Sequence, residues 1–186
     1  NYTVQKGILP LLDISPDIHI LDCTDLEVNY CNTNYEDAGI THSKRDDQLT
    51  RGYKLSTLRG LVDDVGIIEE IRFGSLNTHD LPLSVEMLKT SPMLKEGDIL
   101  INDRGFLSRD LINYLKTKRK VDTYVPLRKN MEAYKMAVLD AQYKNDWEQH
   151  PSRKSQVITL TDQLGENWRS DNPNEDVPIN ACVVWD

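Results

Sequence analysis

The chain has 186 residues, of which 39% are hydrophobic and 28% charged, and its formal net charge at pH 7 is −8. This balance is typical of a folded globular protein and excludes a disordered one, and the length suits one domain or a domain with a smaller appendage. No apolar run approaches the ~20 residues that a membrane-spanning helix needs, and the first residues lack the pattern of a signal peptide.

The charge is unevenly distributed along the chain. Residues 1–100 carry 9 basic and 17 acidic side chains, residues 101–155 carry 12 and 7, and residues 156–186 carry 1 and 6. The acidic total argues against strong binding of nucleic acid, because affinity for DNA grows with the number of phosphates that Lys and Arg neutralise. The basic excess in the middle segment weakens that argument. The alternative for the cations at 116–120 is that they lie at the solvated end of a helix, where positive charge is favourable.

The cysteines predict the redox compartment. Cys23, Cys31 and Cys182 form no CxxC pair and cannot all be paired within the chain. We therefore expect a reducing, cytoplasmic setting. The three cysteines and four histidines also lack the spacing of a zinc site.

The first half of the chain predicts a β-meander. His19–Val28 is a strand interrupted by Asp22, and residues 52–61 and 67–73 alternate apolar and polar side chains around a turn at 63–66. An Asp in the middle of so apolar a strand is costly to bury unless something pairs with it, and a bound cation is the usual solution.

The second half predicts alternating helices and strands. Asp80 is interpreted as the cap of a helix that ends at Ser91-Pro92, residues 123–127 as a short strand, and the spacing of Met131 to Ala141 as a further helix. The order β-β-β-α-β-α-β-α predicts an α/β fold, with a mixed five-stranded sheet and helices on both faces.

The segment from Asp98 to Ser108 joins these halves. Ile99–Ile101 predicts a buried strand, Gly105 is expected to supply backbone freedom for a turn, and Ser108 is expected to cap the next helix. Asp103 then lies at the carboxyl end of a strand, which is where α/β sheets bind ligands. The alternative is that Asp103 is only a turn residue.

The chain changes character near residue 143. A polar stretch leads to predicted strands at Gln156–Leu160 and Asn180–Trp185, separated by an acidic loop. We interpret residues 1–143 as one domain and residues 144–186 as the start of a small inserted β subdomain.

Two carboxylates stand out in the predicted sheet. If the first strand is central and the strand before Asp103 is its parallel neighbour, Asp22 and Asp103 come together. Two carboxylates held that close repel each other unless a divalent cation bridges them. Paired oxygen ligands with open positions are what a two-metal phosphoryl-transfer site requires.

Five segments between residues 18 and 143 occur in a characteristic order and spacing: LDCTDLEV around Asp22, GYKLSTLRGL at 52–61, FGSLNTHD at 73–80, GDILINDRGFLSRDLINYL at 97–115 and YVPLRKN at 124–130. In these segments the chain resembles the DDE transposases of bacterial insertion sequences. The resemblance implies a ribonuclease H-like fold and a metal-dependent endonuclease and strand-transfer enzyme that acts on transposon DNA ends.

The resemblance also implies the site residues. Asp22 and Asp103 match the first two catalytic aspartates of the family and would hold Mg²⁺, for which Mn²⁺ can substitute. The third ligand of the family is a Glu, in many members within the pattern Y-x2-R-x3-E-x6-K, and this sequence has no such pattern. Because the chain starts with Asn and ends inside what resembles a β-rich insertion, we expect that Glu to lie outside these 186 residues.

DNA is the implied partner, both as transposon ends and as target. Arg104, Lys54, Arg128 and Lys129 are candidate DNA contacts. Arg104 has the alternative of pairing with a neighbouring carboxylate, and Lys54 has the alternative of a solvated face. We expect a bacterial, nucleoid-associated protein with no membrane partner, and a homodimer stays open for the full-length protein.

Two other functions stay open from the sequence. One is a ribonuclease H-like nuclease that cuts without joining, and the other is a non-catalytic, transposase-derived DNA-associated protein. The presence of both aspartates argues against the second alternative.

Overall fold

The computed structural model describes residues 15–42, 48–63, 65–161 and 169–185. The chain divides into two compact units. The first comprises Asn1–Leu107 and Tyr114–Val125, and the second comprises Ser108–Asn113 and Pro126–Asp186. No helix in the described ranges is both long and apolar enough to cross a membrane.

The first unit is built on a mixed six-stranded sheet and one long helix. Its elements are β1 (Ile18–Val28), β2 (Gly39–His42), β3 (Leu49–Val62), β4 (Val65–Ser75), α1 (Asp80–Thr90), β5 (Ile99–Asn102) and β6 (Asp122–Tyr124). The sheet order is β2-β3-β1-β5-β6, and β4 also pairs with β3. Pairing is antiparallel among β1 to β4 and parallel from β1 through β5 to β6.

The predicted mixed α/β sheet is therefore present, with one more strand than the predicted five. The additional strand is β2, which lies between the predicted strands at 19–28 and 52–61. It pairs with the first residues of β3, and β4 occupies the rest of the same edge. Four residues are too few for a period-two pattern to be recognised, so sequence reasoning missed this strand.

One face of the sheet is buried and apolar. Leu21 of β1 lies opposite Leu58 of β3. The exposed fraction is 1% for Leu21 and 0% for both Leu58 and Leu100 of β5. Helix α1 packs on this side against β3 and β4. The buried face forms part of the core of the first unit, because it removes these leucine side chains from water.

Strand β4 departs from the predicted alternation. The sequence groups Ile67, Ile71 and Phe73 on one face, yet Ile71 is 37% and Phe73 58% exposed, while Glu69 is buried. A β-bulge explains the difference, because the pairing with β3 shifts by one residue at Glu69. An extra residue reverses the inside–outside alternation on one side of the bulge, so the predicted apolar face is wrong for this strand.

The helices begin near the predicted positions, with two corrections. Helix α1 starts at Asp80, but the preceding His79 occupies the cap position and no side chain caps the helix. Asp80 instead places its charge in the first turn, where the helix dipole favours an anion. Gly105 does not have a positive φ. A Cβ at Gly105 would lie 3.2 Å from Oδ2 of Asp80, so this glycine permits a close approach and not an unusual turn.

The chain beyond β5 contains a 3-10 turn at Arg104–Phe106, helix α2 (Arg109–Tyr114) and a π-helical turn at Leu115–Arg119. The backbone N–H of Leu111 donates to Oγ of Ser108 at 3.4 Å, which agrees with the predicted cap. Lys120 follows in the left-handed conformation with φ 60°, and this ends the helical segment.

The second unit contains helix α3 (Glu132–Lys144) and a three-stranded antiparallel sheet of β7 (Glu148–Gln149), β8 (Gln156–Leu160) and β9 (Ala181–Trp185). Its core consists of Ala137 and Ala141 of α3 packed with Ile158 and Leu160 of β8. Strands β8 and β9 agree with the predicted ones to within one residue. Helix α3 groups with this small sheet, whereas the sequence analysis assigned it to residues 1–143.

A buried polar network also stabilises the second unit. Asp176 accepts hydrogen bonds from Arg109 at 3.2 Å and from Asn113 at 2.8 Å, and both ion-pair side chains are 3% exposed. Burial alone would raise the pKa of Asp176, but the hydrogen bonds from Asn113 and Ser170 and the charge of Arg109 lower it to about 2. The network fixes the first turns of α2 to the segment that precedes β9.

Candidate active site

The parallel pairing of β1 with β5 aligns the two aspartates. The register runs from Ile18 opposite Ile99 to Leu21 opposite Asn102. Asp22 comes directly after Leu21, and Asp103 comes directly after Asn102. The two aspartates therefore lie next to the last aligned pair, at the same level of the sheet. The predicted neighbourhood of these two strands is thus confirmed, while the catalytic role of the aspartates stays a prediction.

Asp22 is exposed to solvent, which corrects the expectation that the apolar strand buries it. Its Oδ1 accepts a hydrogen bond from the backbone N–H of Cys23 at 2.8 Å. Because the carboxylate stays in water, it has no large desolvation cost for a partner to offset. Burial is therefore not an argument for a cation at Asp22, and any such argument must come from its neighbours.

Asp103 is also exposed, and it starts the turn that follows β5. Its backbone is extended, with φ −71° and ψ 160°, and its Oδ1 accepts from the backbone N–H of Arg104 at 2.6 Å. Asp103 therefore caps the 3-10 turn, as the turn-residue alternative expected. Within the described residues, no other hydrogen bond or ion pair engages the carboxylate of Asp22 or Asp103, so one oxygen of each can bind a ligand.

Both aspartates line one cleft in the first unit, with a volume of ≈ 420 Å³. The other residues that line it are Ile20, Leu21, Arg59, Leu61, Gly66, Ile101 and Asn102. The cleft therefore combines two carboxylates, one guanidinium and one amide with apolar walls. This composition suits a charged ligand that carries both a cation and an anionic group.

The donor set fits a hard divalent cation. Mg²⁺ is usually held by one or two carboxylates together with water and substrate phosphates, and not by an all-protein cage. Asp22 and Asp103 supply such a pair of carboxylates. Over the described ranges, no group of three or more His, Cys, Asp or Glu side chains is placed to share a metal ion.

The four predicted DNA contacts lie in different settings. Arg104 is exposed and directly follows Asp103, and Arg128 and Lys129 are exposed in the second unit. Lys54 is only 12% exposed, and its Nζ lies 2.7 Å from Oδ1 of Asp80. Lys54 thus has a structural ion pair and not the solvated setting that was its alternative.

The sheet register also separates Lys54 from the cleft. Lys54 lies opposite Asp25, whereas Asp22 lies opposite Thr57. Residues an odd number of positions apart on a strand point to opposite faces, so Lys54 and Asp22 are on different faces of the sheet. Lys54 is therefore not placed to contact a ligand that is bound at Asp22.

Two cleft residues, Arg59 and Asn102, were missed by the sequence analysis. The sequence does contain a signal for Arg59, since it shares a strand face with Thr57 and Leu55 by simple alternation. Local sequence does not specify whether this face of the strand is the one that carries Asp22. That depends on the register in which the strand pairs with its neighbours.

Comparison with known proteins gives a family for the chain. Residues 16–169 match the family described as "Transposase DDE domain". No curated protein matches the sequence significantly. The match includes both aspartates, all of the described first unit except Ser15, and most of the second unit.

Proposed function

The chain belongs to the transposase DDE domain family, and we propose that it contributes two metal ligands, Asp22 and Asp103, to the cleavage and joining of DNA at transposon ends. Family membership implies transposition-related chemistry on DNA in general. The metal dependence, the reaction at transposon ends and the roles of the two aspartates are the proposal.

The alignment of Asp22 with Asp103 is the observation that supports the proposal most. Two exposed carboxylates, one within β1 and one directly after β5, lie at one level of adjacent parallel strands and line the same cleft. The rest of the mixed α/β sheet is compatible with a ribonuclease H-like fold, which we propose for the first unit.

Mg²⁺, or Mn²⁺ in its place, is the proposed cofactor because the site offers hard oxygen ligands. When bound, such an ion supplies activation of the attacking oxygen and stabilisation of the leaving oxygen in phosphoryl transfer. The residues of this chain hold and orient it: each aspartate has one oxygen fixed by the backbone N–H of the next residue. This fixation orients each carboxylate before any ligand arrives, which reduces the cost of positioning it.

A metal titration tests the assignment of the two aspartates. We compare Mn²⁺ binding to the chain with binding to Asp22→Asn and Asp103→Asn, using electron paramagnetic resonance to count free Mn²⁺. Each substitution removes one charged oxygen ligand, so the affinity should fall about tenfold or more, which corresponds to ~1.4 kcal/mol.

Asp122→Asn is the matched control for these variants. Asp122 is 51% exposed and lies opposite Ile99, at the end of β5 far from Asp103. The Asp122→Asn substitution removes one carboxylate charge from the same sheet, as the site variants do, and should leave the Mn²⁺ affinity unchanged. Equal Mn²⁺ affinity in the wild type and in both site variants would refute the metal assignment.

The same variants in the gene that encodes this chain test the reaction. In a transposition assay, Asp22→Asn and Asp103→Asn should abolish joined products, and Asp122→Asn should retain them. Analysis of the DNA ends separates the alternatives: cut ends without joined products would support the nuclease that does not join. Joined products from both site variants would contradict the proposed chemistry.

A further inference from the structure

We propose that Arg59 binds a backbone phosphate of the DNA substrate next to Asp22 and Asp103. This inference rests on the proposed function, because it assigns a substrate contact within the same cleft.

The register of β1 with its neighbours places Arg59 on the same sheet face as both aspartates. Arg59 lies opposite Ile20 in β3, and Ile101 lies opposite Ile20 in β5. Paired residues share a face, and so do residues two positions apart on one strand. Asp22 is two positions after Ile20, and the extended Asp103 is two positions after Ile101. The three side chains therefore face the same side, which agrees with their shared cleft.

Among the described residues that line this cleft, Arg59 is the one with a basic side chain. Its Nε is buried and has no hydrogen-bond partner in the part of the chain that the structure describes. Buried donors in folded proteins are almost always satisfied, so one without a partner needs an explanation.

A phosphate suits the guanidinium of Arg59 in this position beside the two aspartates. The planar guanidinium presents several donors in a geometry that matches a phosphate, and it stays charged at every physiological pH. Two carboxylates repel the phosphates of an approaching DNA strand, and a cation on the same face offsets that repulsion. Within the described residues, Arg59 makes no ion pair with Asp22 or Asp103, so its charge is not already neutralised by them.

The test measures DNA affinity as a function of salt. The chain and its Arg59→Gln, Arg59→Lys and Lys116→Gln variants are titrated onto a fluorescent DNA duplex of mixed sequence in Mg²⁺ buffer. Each phosphate contact contributes about 0.9 to the slope of log affinity against log salt concentration. Arg59→Gln should therefore lower the magnitude of that slope by about 0.9. Arg59→Lys should keep the slope and bind with intermediate affinity, because it keeps the charge and loses the planar donor geometry.

Lys116→Gln controls for net charge. Lys116 is 48% exposed and forms an ion pair with Asp122. Asp122 lies opposite Ile99, at the end of β5 that is far from the cleft. The Lys116→Gln variant should retain the wild-type slope. An equal loss of slope in Lys116→Gln and Arg59→Gln, or an unchanged slope in Arg59→Gln, would overturn the proposal. Thermal melts show whether each variant is folded. If Arg59→Gln does not fold, the affinity of Arg59→Lys still tests the proposal.

The metal titration keeps the two proposals distinguishable. If Asp22→Asn and Asp103→Asn lose Mn²⁺ affinity while Arg59→Gln keeps the wild-type salt slope, only the assignment of Arg59 fails. If the aspartate variants keep their Mn²⁺ affinity, the proposed function fails first, whatever the result for Arg59.

Discussion

His19 is a fully buried histidine held between two carboxylates of the first unit. Its Nδ1 lies 2.7 Å from Oε2 of Glu69, and its Nε2 lies 3.0 Å from Oδ2 of Asp98. Burial alone would lower the pKa of His19, but the hydrogen bonds and charges of Glu69 and Asp98 outweigh it and raise the pKa above its ordinary value of 6.5. This side chain connects β1, the bulge of β4 and the residue that precedes β5.

The raised pKa makes the stability of the first unit depend on pH. Protonated His19 is favoured in the folded state, so its stabilising contribution is fully present below pH 6.5 and is lost as the pH rises through the raised folded-state pKa. The free energy of unfolding, measured by urea denaturation at a series of pH values, should therefore fall across that interval. His19→Gln should be less stable at the acidic end by about 3 kcal/mol, because it breaks a buried charge network.

The exposed His79 supplies the control for this pH series. His79→Gln should follow the wild-type curve, since its side chain makes no capping hydrogen bond. His19→Gln should show a flatter curve than either protein across the same interval. A curve for His19→Gln parallel to the wild type would show that other groups cause the pH dependence.

The pairing of β3 with β4 creates the space that this network needs. Gly60 of β3 lies opposite His19, and a Cβ at Gly60 would lie 2.9 Å from Cδ of Glu69 and 2.2 Å from Cγ of Pro16. The bulge at Glu69 turns that side chain toward the helix-covered face. A glycine in one strand and an extra residue in the next therefore act together to bring the carboxylate to His19.

Gly60→Ala should consequently destabilise the first unit. The added methyl group overpacks a site walled by Pro16 and Glu69, and such overpacking typically costs about 1–3 kcal/mol. Gly66→Ala is a matched control in the neighbouring strand, because its Cβ would meet only Arg59 and Leu61 at 3.9 and 4.0 Å, which are ordinary contacts. Urea denaturation should show a lower midpoint for Gly60→Ala alone. Equal midpoints for the two variants would contradict this account of the bulge.

The charge of the whole chain limits its affinity for DNA. The net charge of −8 opposes a polyanion, and the basic excess is confined to residues 101–155. Arg59 and Arg104 offer only local attraction beside the two aspartates. The chain should therefore supply chemistry at a bound phosphate and not bulk affinity.

We accordingly expect weak and non-specific binding of DNA by this chain, with a dissociation constant of ~10⁻⁴ to 10⁻⁶ M at physiological salt. A fluorescence titration with a transposon-end duplex and with a scrambled duplex of equal length should give similar affinities. Tighter, sequence-selective binding of the transposon end would show that recognition of the DNA ends lies within these residues.

The order of the elements was determined by the sequence itself. Alternating and continuous apolar patterns located β1, β3, β4, β5, β8 and β9, and helical spacing located α1 and α3, because these elements are long or regular enough for their period to be visible. The same patterns, together with the family resemblance, singled out Asp22 and Asp103. Strands β2 and β7 were missed, since the four residues of β2 and the two of β7 form neither an alternating pattern nor a continuous apolar run like that of β5.

The tertiary structure decided which side chains share a face and a cleft. The pairing of β1 with β5 joins Asp22 to Asp103, and the pairing of β1 with β3 adds Arg59, all between residues far apart in the chain. Register depends on contacts over the whole sheet, and one extra residue reverses which side chains point inward, as Glu69 shows. Local sequence does not encode that choice, so the exposure of Asp22, the burial of Glu69 and the position of Arg59 became visible only once the strands were paired.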